Sequence, residues 1–334
     1  MSKRLGFSRI TMLGVWLALC ASLLAQDSRV VGTVTDESGA VIPGARVTAT
    51  NQATNLERGF ETDATGNFDI PGLQVGGYMV RAEADGFRAA QTEITLEVNQ
   101  TVRQNFRLPV GSVAETVSVV AQAPLLQADS GTISQVITNR QIVELPLNGR
   151  SFTSLALLVP GVTPRGSGLS MFGESGTFSI NGARPGTENY MVEGVTTNSS
   201  NTRQPQLSPS IEAIQEFSIQ TSSYTAEYGR GSAAVNVITK SGNNQFRGNV
   251  YEFIRNDALA ANNFFQNQLA NPEDADSNLK RNQFGGTIGG PIIRDKTFFF
   301  AHYEGNRLRQ GATSTYRVPT SLEMQADFSQ SPGV

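Results

Sequence analysis

Residues 282–304 read Asn282-Gln283-Phe284-Gly285-Gly286-Thr287-Ile288-Gly289-Gly290-Pro291-Ile292-Ile293-Arg294-Asp295-Lys296-Thr297-Phe298-Phe299-Phe300-Ala301-His302-Tyr303-Glu304. Asn282 to Ile288 and Ile292-Ile293 flank Gly289-Gly290-Pro291, and Lys296 to Glu304 carries Phe298-Phe299-Phe300 and Tyr303. Upstream, Asn243-Asn244 gives a turn before Arg247 to Arg255, where Tyr251 and Phe253 share one strand face and Glu252 takes the other. Residues 256–281 between them are polar, as a long surface loop would be. Alternating segments of about ten residues with aromatics near their ends are the pattern of transmembrane β-strands. Each segment alone reads equally well as a soluble sheet, so the residues before them decide.

The chain has 334 residues, 39% hydrophobic and 16% charged, with 33 glycines. Low charge and abundant glycine suit a β-rich chain with many turns. A net charge of -3 gives no general attraction to nucleic acid. At the start, Lys3, Arg4 and Arg9 precede the apolar run Ile10 to Leu24, and small residues from Ser22 lead to a cleavage point between Ala25 and Gln26. This is the layout of a secretory signal peptide over residues 1–25. The run is about 15 residues, short of the roughly 20 that span a bilayer. Leu17-Ala18-Leu19-Cys20 approaches a lipoprotein box, but Leu19 is bulky where a small residue is expected. Cys20 is the one cysteine, so cleavage leaves neither a disulfide nor a thiolate metal site in the remaining residues. An exported chain without a long apolar helix is expected in the periplasm, outside the cell, or in an outer-membrane barrel.

Residues 29–108 alternate in short runs split by turn residues. Val30 and Val34 bracket Gly32, Asp36-Glu37-Ser38-Gly39 turns, and Ala45 to Asn51 alternates again. Asp63-Ala64-Thr65-Gly66 turns into Asn67 to Ile70, Gly76-Gly77 opens Tyr78 to Ala84, and Glu93 to Val98 and Val102 to Leu108 come after. Roughly seven short strands in this span predict a β-sandwich. Pro43-Gly44 makes a tight turn, and Phe68, Tyr78 and Phe87 are candidate core aromatics. The succession Val31-Gly32-Thr33-Val34-Thr35-Asp36, Ile42-Pro43-Gly44-Ala45-Arg46-Val47, Thr65-Gly66-Asn67-Phe68, Tyr78-Met79-Val80 and Gly86-Phe87 resembles the carboxypeptidase-regulatory-like domain. That resemblance implies a transthyretin-like sandwich of carbohydrate-binding-like fold, acting as a spacer or binding sugar or protein on a loop.

Residues 129–240 carry a second series. Gln141 to Leu145 is a short helix ended by Pro146, within Glu144-Leu145-Pro146-Leu147-Asn148-Gly149-Arg150-Ser151-Phe152. Phe178-Ser179-Ile180-Asn181-Gly182-Ala183-Arg184, Tyr190-Met191-Val192-Glu193-Gly194-Val195 and Tyr224-Thr225-Ala226-Glu227-Tyr228-Gly229-Arg230-Gly231 come next. Ile211 to Phe217 has apolar residues at 211, 214 and 217, which predicts one face of a short helix, and Val235 to Thr239 predicts a buried strand. Asn148-Gly149, Asn181-Gly182 and Glu193-Gly194 mark tight turns. In this order the motifs are similar to the plug domain of TonB-dependent receptors of the Oar-like group. Glu193, where aspartate is commoner, and Ala183, in a stretch often more polar, depart from the pattern. The resemblance makes Asn148, Gly149, Arg150, Asn181, Gly182, Arg184, Glu193, Gly194, Tyr228 and Gly229 the plug-motif residues, and the loops 163–176 and 197–209 candidate ligand contacts.

Between the two lies a linker, 109–128, containing the β-branched stretch Glu115-Thr116-Val117-Ser118-Val119-Val120-Ala121. An extended segment between domains can add to a partner's sheet. Given the resemblance, Thr116, Val117, Ser118, Val119, Val120 and Ala121 look like a TonB box, the strand that pairs with the energy transducer TonB. The other readings are the last strand of the sandwich or the first of the next domain.

With a plug in front, residues 241–334 read as the beginning of a barrel. The expected fold is mainly β: an N-terminal transthyretin-like β-sandwich, an α+β plug domain, then the first strands of an incomplete transmembrane β-barrel. Plugged transporters have about 22 strands, whereas residues 241–334 hold about three, so a truncated chain ending at Ser331-Pro332-Gly333-Val334 is expected. The expected address is the outer membrane, with the sandwich in the periplasm. The expected partners are a TonB-type transducer, outer-membrane lipid and an extracellular ligand (carbohydrate, peptide or siderophore), but not nucleic acid. The competing reading is an outer-membrane adhesion or carbohydrate-binding protein. No catalytic, metal or cofactor residue is expected. His302 is the one histidine and falls on a barrel strand, which leaves neither a zinc set nor a serine triad, and no glycine loop precedes Lys-Ser or Lys-Thr.

Overall fold

The structure is a computed structural model that describes residues 28–111, 116–118, 132–145, 147–164, 178–200, 205–222, 224, 228–229, 231–259, 261, 279–310 and 319–329. The signal segment with Ala25 and Gln26, the residues Val119, Val120 and Ala121, and most of the loop 163–176 lie outside these ranges. The chain divides into two compact units, residues 1–248 with 287–302, and residues 249–286 with 303–334.

The first domain is a sandwich of β1 (Ser28–Asp36), β2 (Arg46–Asn51), β3 (Glu57–Glu61), β4 (Asn67–Leu73), β5 (Gly76–Glu83), β6 (Ala89–Leu96), β7 (Thr101–Arg103), β8 (Phe106–Leu108) and β9 (Thr116–Ser118). One sheet runs β4-β1-β7, with β8 also on β1, and the other runs β3-β2-β5-β6-β9. Alternation turns Val30, Val34, Val47, Ala49, Ile70, Val80 and Leu96 inward to full burial. Burying one such larger side chain stabilises by about 1.5–3 kcal/mol. Phe68 and Tyr78 join this core and Phe87 packs at its margin, as the sequence predicts. Gly32 is required by proximity, since a Cβ there would lie 1.8 Å from the Gln104 carbonyl oxygen. The strand β3 has no counterpart in the sequence reading. All five of its residues are exposed, so it carries no apolar alternation, and only its ladder with β2 makes it a strand.

The plug domain contains β10 (Ile133–Thr138), α1 (Asn139–Glu144), β11 (Val162–Pro164), β12 (Phe178–Ile180), β13 (Asn189–Val192), β14 (Val195–Thr196), β15 (Ile214–Ser222) and β16 (Ala234–Thr239). Its sheet order is β10-β15-β16-β13-β14, with β13 and β16 parallel, and β11 and β12 pair separately. In α1, Gln141 Oε1 accepts from the Thr138 N–H at 3.2 Å. The helix stops at Leu145, whose φ of -78° and ψ of 135° are the extended backbone imposed on a residue before proline.

The helix expected over Ile211 to Phe217 is corrected. Ile211–Ala213 form one 3-10 turn, and the chain then enters β15. The spacing of 211, 214 and 217 suits a helix face locally, but β10 and β16 flank β15 and take its backbone hydrogen bonds on both sides. The turn rotates the chain so that all three apolar residues still reach one core. There Phe152 meets Phe217 edge-on with ring centroids 6.4 Å apart, and Phe178 meets Tyr190 at 6.2 Å.

The last strands are β17 (Arg247–Asn256), β18 (Lys280–Ile293) and β19 (Thr297–Arg309), in the order β17-β18-β19. Gly289-Gly290-Pro291 does not interrupt the segment: β18 runs through it, with Gly290 against the Phe246 ring and Gly289 against Phe300. Along β17, Val250 (93% exposed) and Ile254 (62%) lie on the outer face. The other face stacks Tyr251 on Phe253 at 5.8 Å and sends the Tyr251 hydroxyl to Glu304 at 2.8 Å. Glu252 shares the outer face with Val250 and Ile254, so β17 alone does not divide cleanly into an apolar and a polar side.

Candidate functional site

The motif residues gather around β16. At its start, Asn189 pairs in register with Ala234, and its Nδ2 donates to the Tyr228 carbonyl at 2.6 Å. Gly229 follows with φ of 76°, a value that favours glycine. At the far end of β16, Glu193 and Gly194 form the two-residue loop between β13 and β14, where Val192 pairs with Val195. Both have positive φ, 52° and 74°, the geometry of a type I′ turn. Glutamate is strained there, and its carboxylate compensates: Oε1 accepts from the Thr239 N–H at 2.6 Å and the Thr239 hydroxyl at 2.7 Å. The departure from aspartate therefore fastens the hairpin to the last residue of β16.

Next to this lies a buried ion pair. Gly149 and Arg150 have φ of 67° and 52°, and the bend turns the Arg150 guanidinium onto Glu212, with the side chains only 12% and 4% exposed. Arg150 Nη2 donates to Glu212 Oε1. Lys240 is fixed by its N–H to the Ala213 carbonyl at 2.8 Å. Burial pulls its ammonium below the usual value, and the Glu212 charge opposes that. The side chain of Asn148 lies outside the described residues.

Asn181 and Gly182 form a second turn with positive φ, 50° and 76°. The Asn181 N–H donates to the Gly161 carbonyl at 2.9 Å and its Nδ2 to the Thr221 carbonyl at 3.1 Å, which ties the β11–β12 pair to the end of β15. Arg184 is exposed, and its carbonyl accepts from the Thr187 hydroxyl. The structure thus brings Arg150, Glu193 and Gly194 to one end of β16, Tyr228 and Gly229 to the other, and leaves Asn181, Gly182 and Arg184 beside the sheet. His302 stands exposed on β19.

Three contacts join the sandwich to the plug and to the turns that bound the barrel strands, and the sequence reading found none. The Val98 N–H donates to Glu216 Oε2 at 2.8 Å. Glu216 is 6% exposed; burial, aided by the charge of Glu97, pushes its carboxyl up to about 7 against the pull of the Val98 hydrogen bond. The β2–β3 turn reaches the β18–β19 turn, where Asn55 and Asn244 both donate to Asp295 Oδ1, at 2.8 and 2.7 Å. The Asn244 N–H also donates to the Ala53 carbonyl at 3.1 Å. Between these contacts is a cavity of about 340 Å³ whose lining includes Asn51, Gln74, Glu193, Gln215, Thr239 and Arg247. The one advance signal for such contacts is the pair of acids, Glu212 and Glu216, set among apolar residues.

The candidate coupling segment lies along the sandwich. Thr116–Ser118 form β9, parallel to Ala89–Gln91 of β6, the pairing that a last strand of the sandwich would make. The other half, Val119 to Ala121, lies outside the described residues.

Comparison with known families fits this arrangement. Residues 29–109 match the carboxypeptidase regulatory-like domain, 126–235 the TonB-dependent receptor plug domain, and 238–334 the outer membrane beta barrel domain. The chain carries the domains of TonB-dependent receptors in their order, which makes it an outer-membrane protein with its N-terminal domain in the periplasm. Within that class it is similar to the TonB-dependent transporter Oar of Myxococcus xanthus, at 33% identity over 88% of this chain. It spans 28% of the length of that relative. Among solved structures, the siderophore receptor PirA of Acinetobacter baumannii aligns over 52% of this chain and 24% of its own, at 25% identity and a TM-score of 0.39. Hydroxyquinol 1,2-dioxygenase of Pseudomonas putida aligns over 25% of this chain and 57% of its own, at 13% identity and a TM-score of 0.23. At such scores neither likeness carries an argument about function.

Proposed function

We propose that the chain serves energy-coupled uptake of an extracellular ligand, without catalysing a reaction. Residues 29–108 act as a periplasmic sandwich, 109–128 as the coupling linker, 129–240 as the gate, and 241–334 as the start of the pore wall. The observation that carries the reading is the Glu193–Thr239 clasp: it fastens the plug hairpin to the end of β16, which residues 240–246 link to β17. A domain held rigid at the point where the chain passes into the first wall strand is suited to closing the pore. Thr116 to Ala121 would be taken up by the sheet of a TonB-type transducer in the periplasm. The ligand class, whether siderophore, peptide or carbohydrate, stays open. Among the described residues no group of three or more His, Cys, Asp or Glu is placed to hold a metal.

The test is deletion of Thr116 to Ala121 in the receptor in its native outer membrane. Ligand binding to cells is expected to persist while accumulation stops. Unchanged accumulation would remove the coupling role and favour the adhesion reading.

A further inference from the structure

We propose that the cavity between the sandwich and the plug binds a short free peptide of dipeptide size, its ammonium end on Glu193 and its carboxylate end on Arg247. The site goes beyond the uptake reading and does not depend on it.

Four pieces of chain meet there: the β2–β3 turn, the β4–β5 turn, the β13–β14 hairpin with the end of β16, and the passage 240–246 into β17. Among the described lining residues Glu193 is the one acid and Arg247 the one base. The walls therefore offer both signs of charge and sum to neutral, which suits a zwitterion better than an anion such as phosphate. Gln74 and Gln215 add carboxamides, each a donor and an acceptor in one plane, the same pair that a peptide group carries. Ile238 gives apolar surface for a small side chain. The described lining holds no aromatic ring, so the apolar face of a sugar has no ring to stack on.

The charged groups are held in place before a ligand arrives. Glu193 Oε1 takes both bonds from Thr239, which fixes the carboxylate and leaves Oε2 for an incoming ammonium. Arg247 Nη2 donates to Gln245 Oε1 at 2.7 Å, and the Gln245 N–H donates to Asn243 Oδ1 at 2.9 Å. Gly242 presses this passage onto the neighbouring strands: a Cβ there would lie 2.2 Å from the Phe299 carbonyl oxygen. On the sandwich side, Asn51 Oδ1 accepts from the Ala53 and Thr54 N–H groups at 2.9 and 3.1 Å and sets that turn. A site fixed in this way loses little freedom when it is filled. Its volume of about 340 Å³ makes it roughly 9 Å across, within the small-molecule range. The ends of an extended dipeptide stand at most roughly 7 Å apart, so both fit inside one such space.

The probe is L-alanyl-L-alanine, titrated calorimetrically into the purified full-length receptor. Binding is expected, and acetylating the amine or amidating the carboxylate is expected to weaken it about tenfold or more, because each change removes a charge-assisted bond. Glu193→Gln keeps an acceptor for Thr239 but not the charge. This variant should bind the dipeptide about tenfold more weakly and no longer distinguish it from the acetylated form. Arg247→Gln should do the same for the amidated form. Ser241→Cys sets a thiol in the cavity wall, and the dipeptide should slow its alkylation at least severalfold. No binding at millimolar peptide, equal affinity for the end-blocked forms, or binding that leaves alkylation at residue 241 unchanged overturns the proposal. Glucose or inorganic phosphate bound in preference to the dipeptide overturns it as well. None of these outcomes bears on coupling through Thr116 to Ala121, which the deletion tests separately.

Discussion

The Glu216 carboxylate on β15 accepts a hydrogen bond from the Val98 N–H, 118 residues earlier in the chain, and the carboxyl is almost wholly buried where it does so. A first-domain backbone group and a plug side chain thus share one desolvated contact with Glu97 nearby. Its proton content should govern how firmly the two domains hold together.

The folded Glu216 carboxyl titrates near 7, above its ordinary value of 4.5, so between those values the folded chain keeps a proton that the unfolded chain has released. Stability from this site is fullest below pH 4.5 and declines as pH rises through 7. A displacement of that size is worth on the order of 3 kcal/mol. Glu216→Gln keeps an acceptor for Val98 but cannot ionise. Melting temperatures from pH 5 to pH 8 should fall more for wild type than for this variant, and parallel curves would show that the contact is not proton-linked.

Arg150→Met removes the guanidinium bonded to the buried Glu212 carboxylate and should cost about 3–5 kcal/mol. Arg150→Met combined with Glu212→Leu removes both charges and should cost distinctly less than Arg150→Met alone. Urea unfolding followed by circular dichroism measures both. Costs that simply add would mean that the pair is not energetically coupled.

At Glu193 the usual order of alanine and glycine should invert. Glu193→Ala loses both Thr239 contacts and keeps the left-handed backbone, a loss of about 1–3 kcal/mol. Glu193→Gly loses the same contacts but relieves about 1–2 kcal/mol of strain. The glycine variant should therefore melt at the higher temperature, and an alanine variant melting above it would deny that backbone strain matters at this turn.

Asp295→Ala removes the acceptor shared by Asn55 and Asn244. Limited proteolysis should then cut the 51–56 turn several-fold faster, with Asn55→Ala intermediate because Asn244 keeps its contact with Asp295. A cleavage rate unchanged in both variants would mean that the turn is held by other contacts.

Much of this architecture is legible in the sequence because it rests on local signals. Alternation at Val30, Val34, Val47 and Ala49, the Asn181-Gly182 and Glu193-Gly194 turns, and the aromatics of β17 and β19 each occupy a few consecutive residues. The strand β3 is not legible, because an exposed edge needs no apolar face. Ile211 to Phe217 misleads because three apolar residues spaced by three fit a helix as well as a turn followed by a strand. The ion pair Arg150–Glu212 and the contacts of Glu216 and Asp295 join residues far apart in the chain, and no local pattern records such a meeting. The motif residues stand out as a set, but the bonds that fasten each of them do not.

The short passage from Thr239 to Arg247 fixes how far the gate can travel. Residues 240–246 join the end of β16 to the start of β17, and a stretch of that length spans at most about 25 Å when fully drawn out. The Thr239 side of the plug is therefore leashed to β17 by seven residues. On the uptake reading proposed above, a plug tethered so closely at one margin could leave its resting place only by turning about that margin.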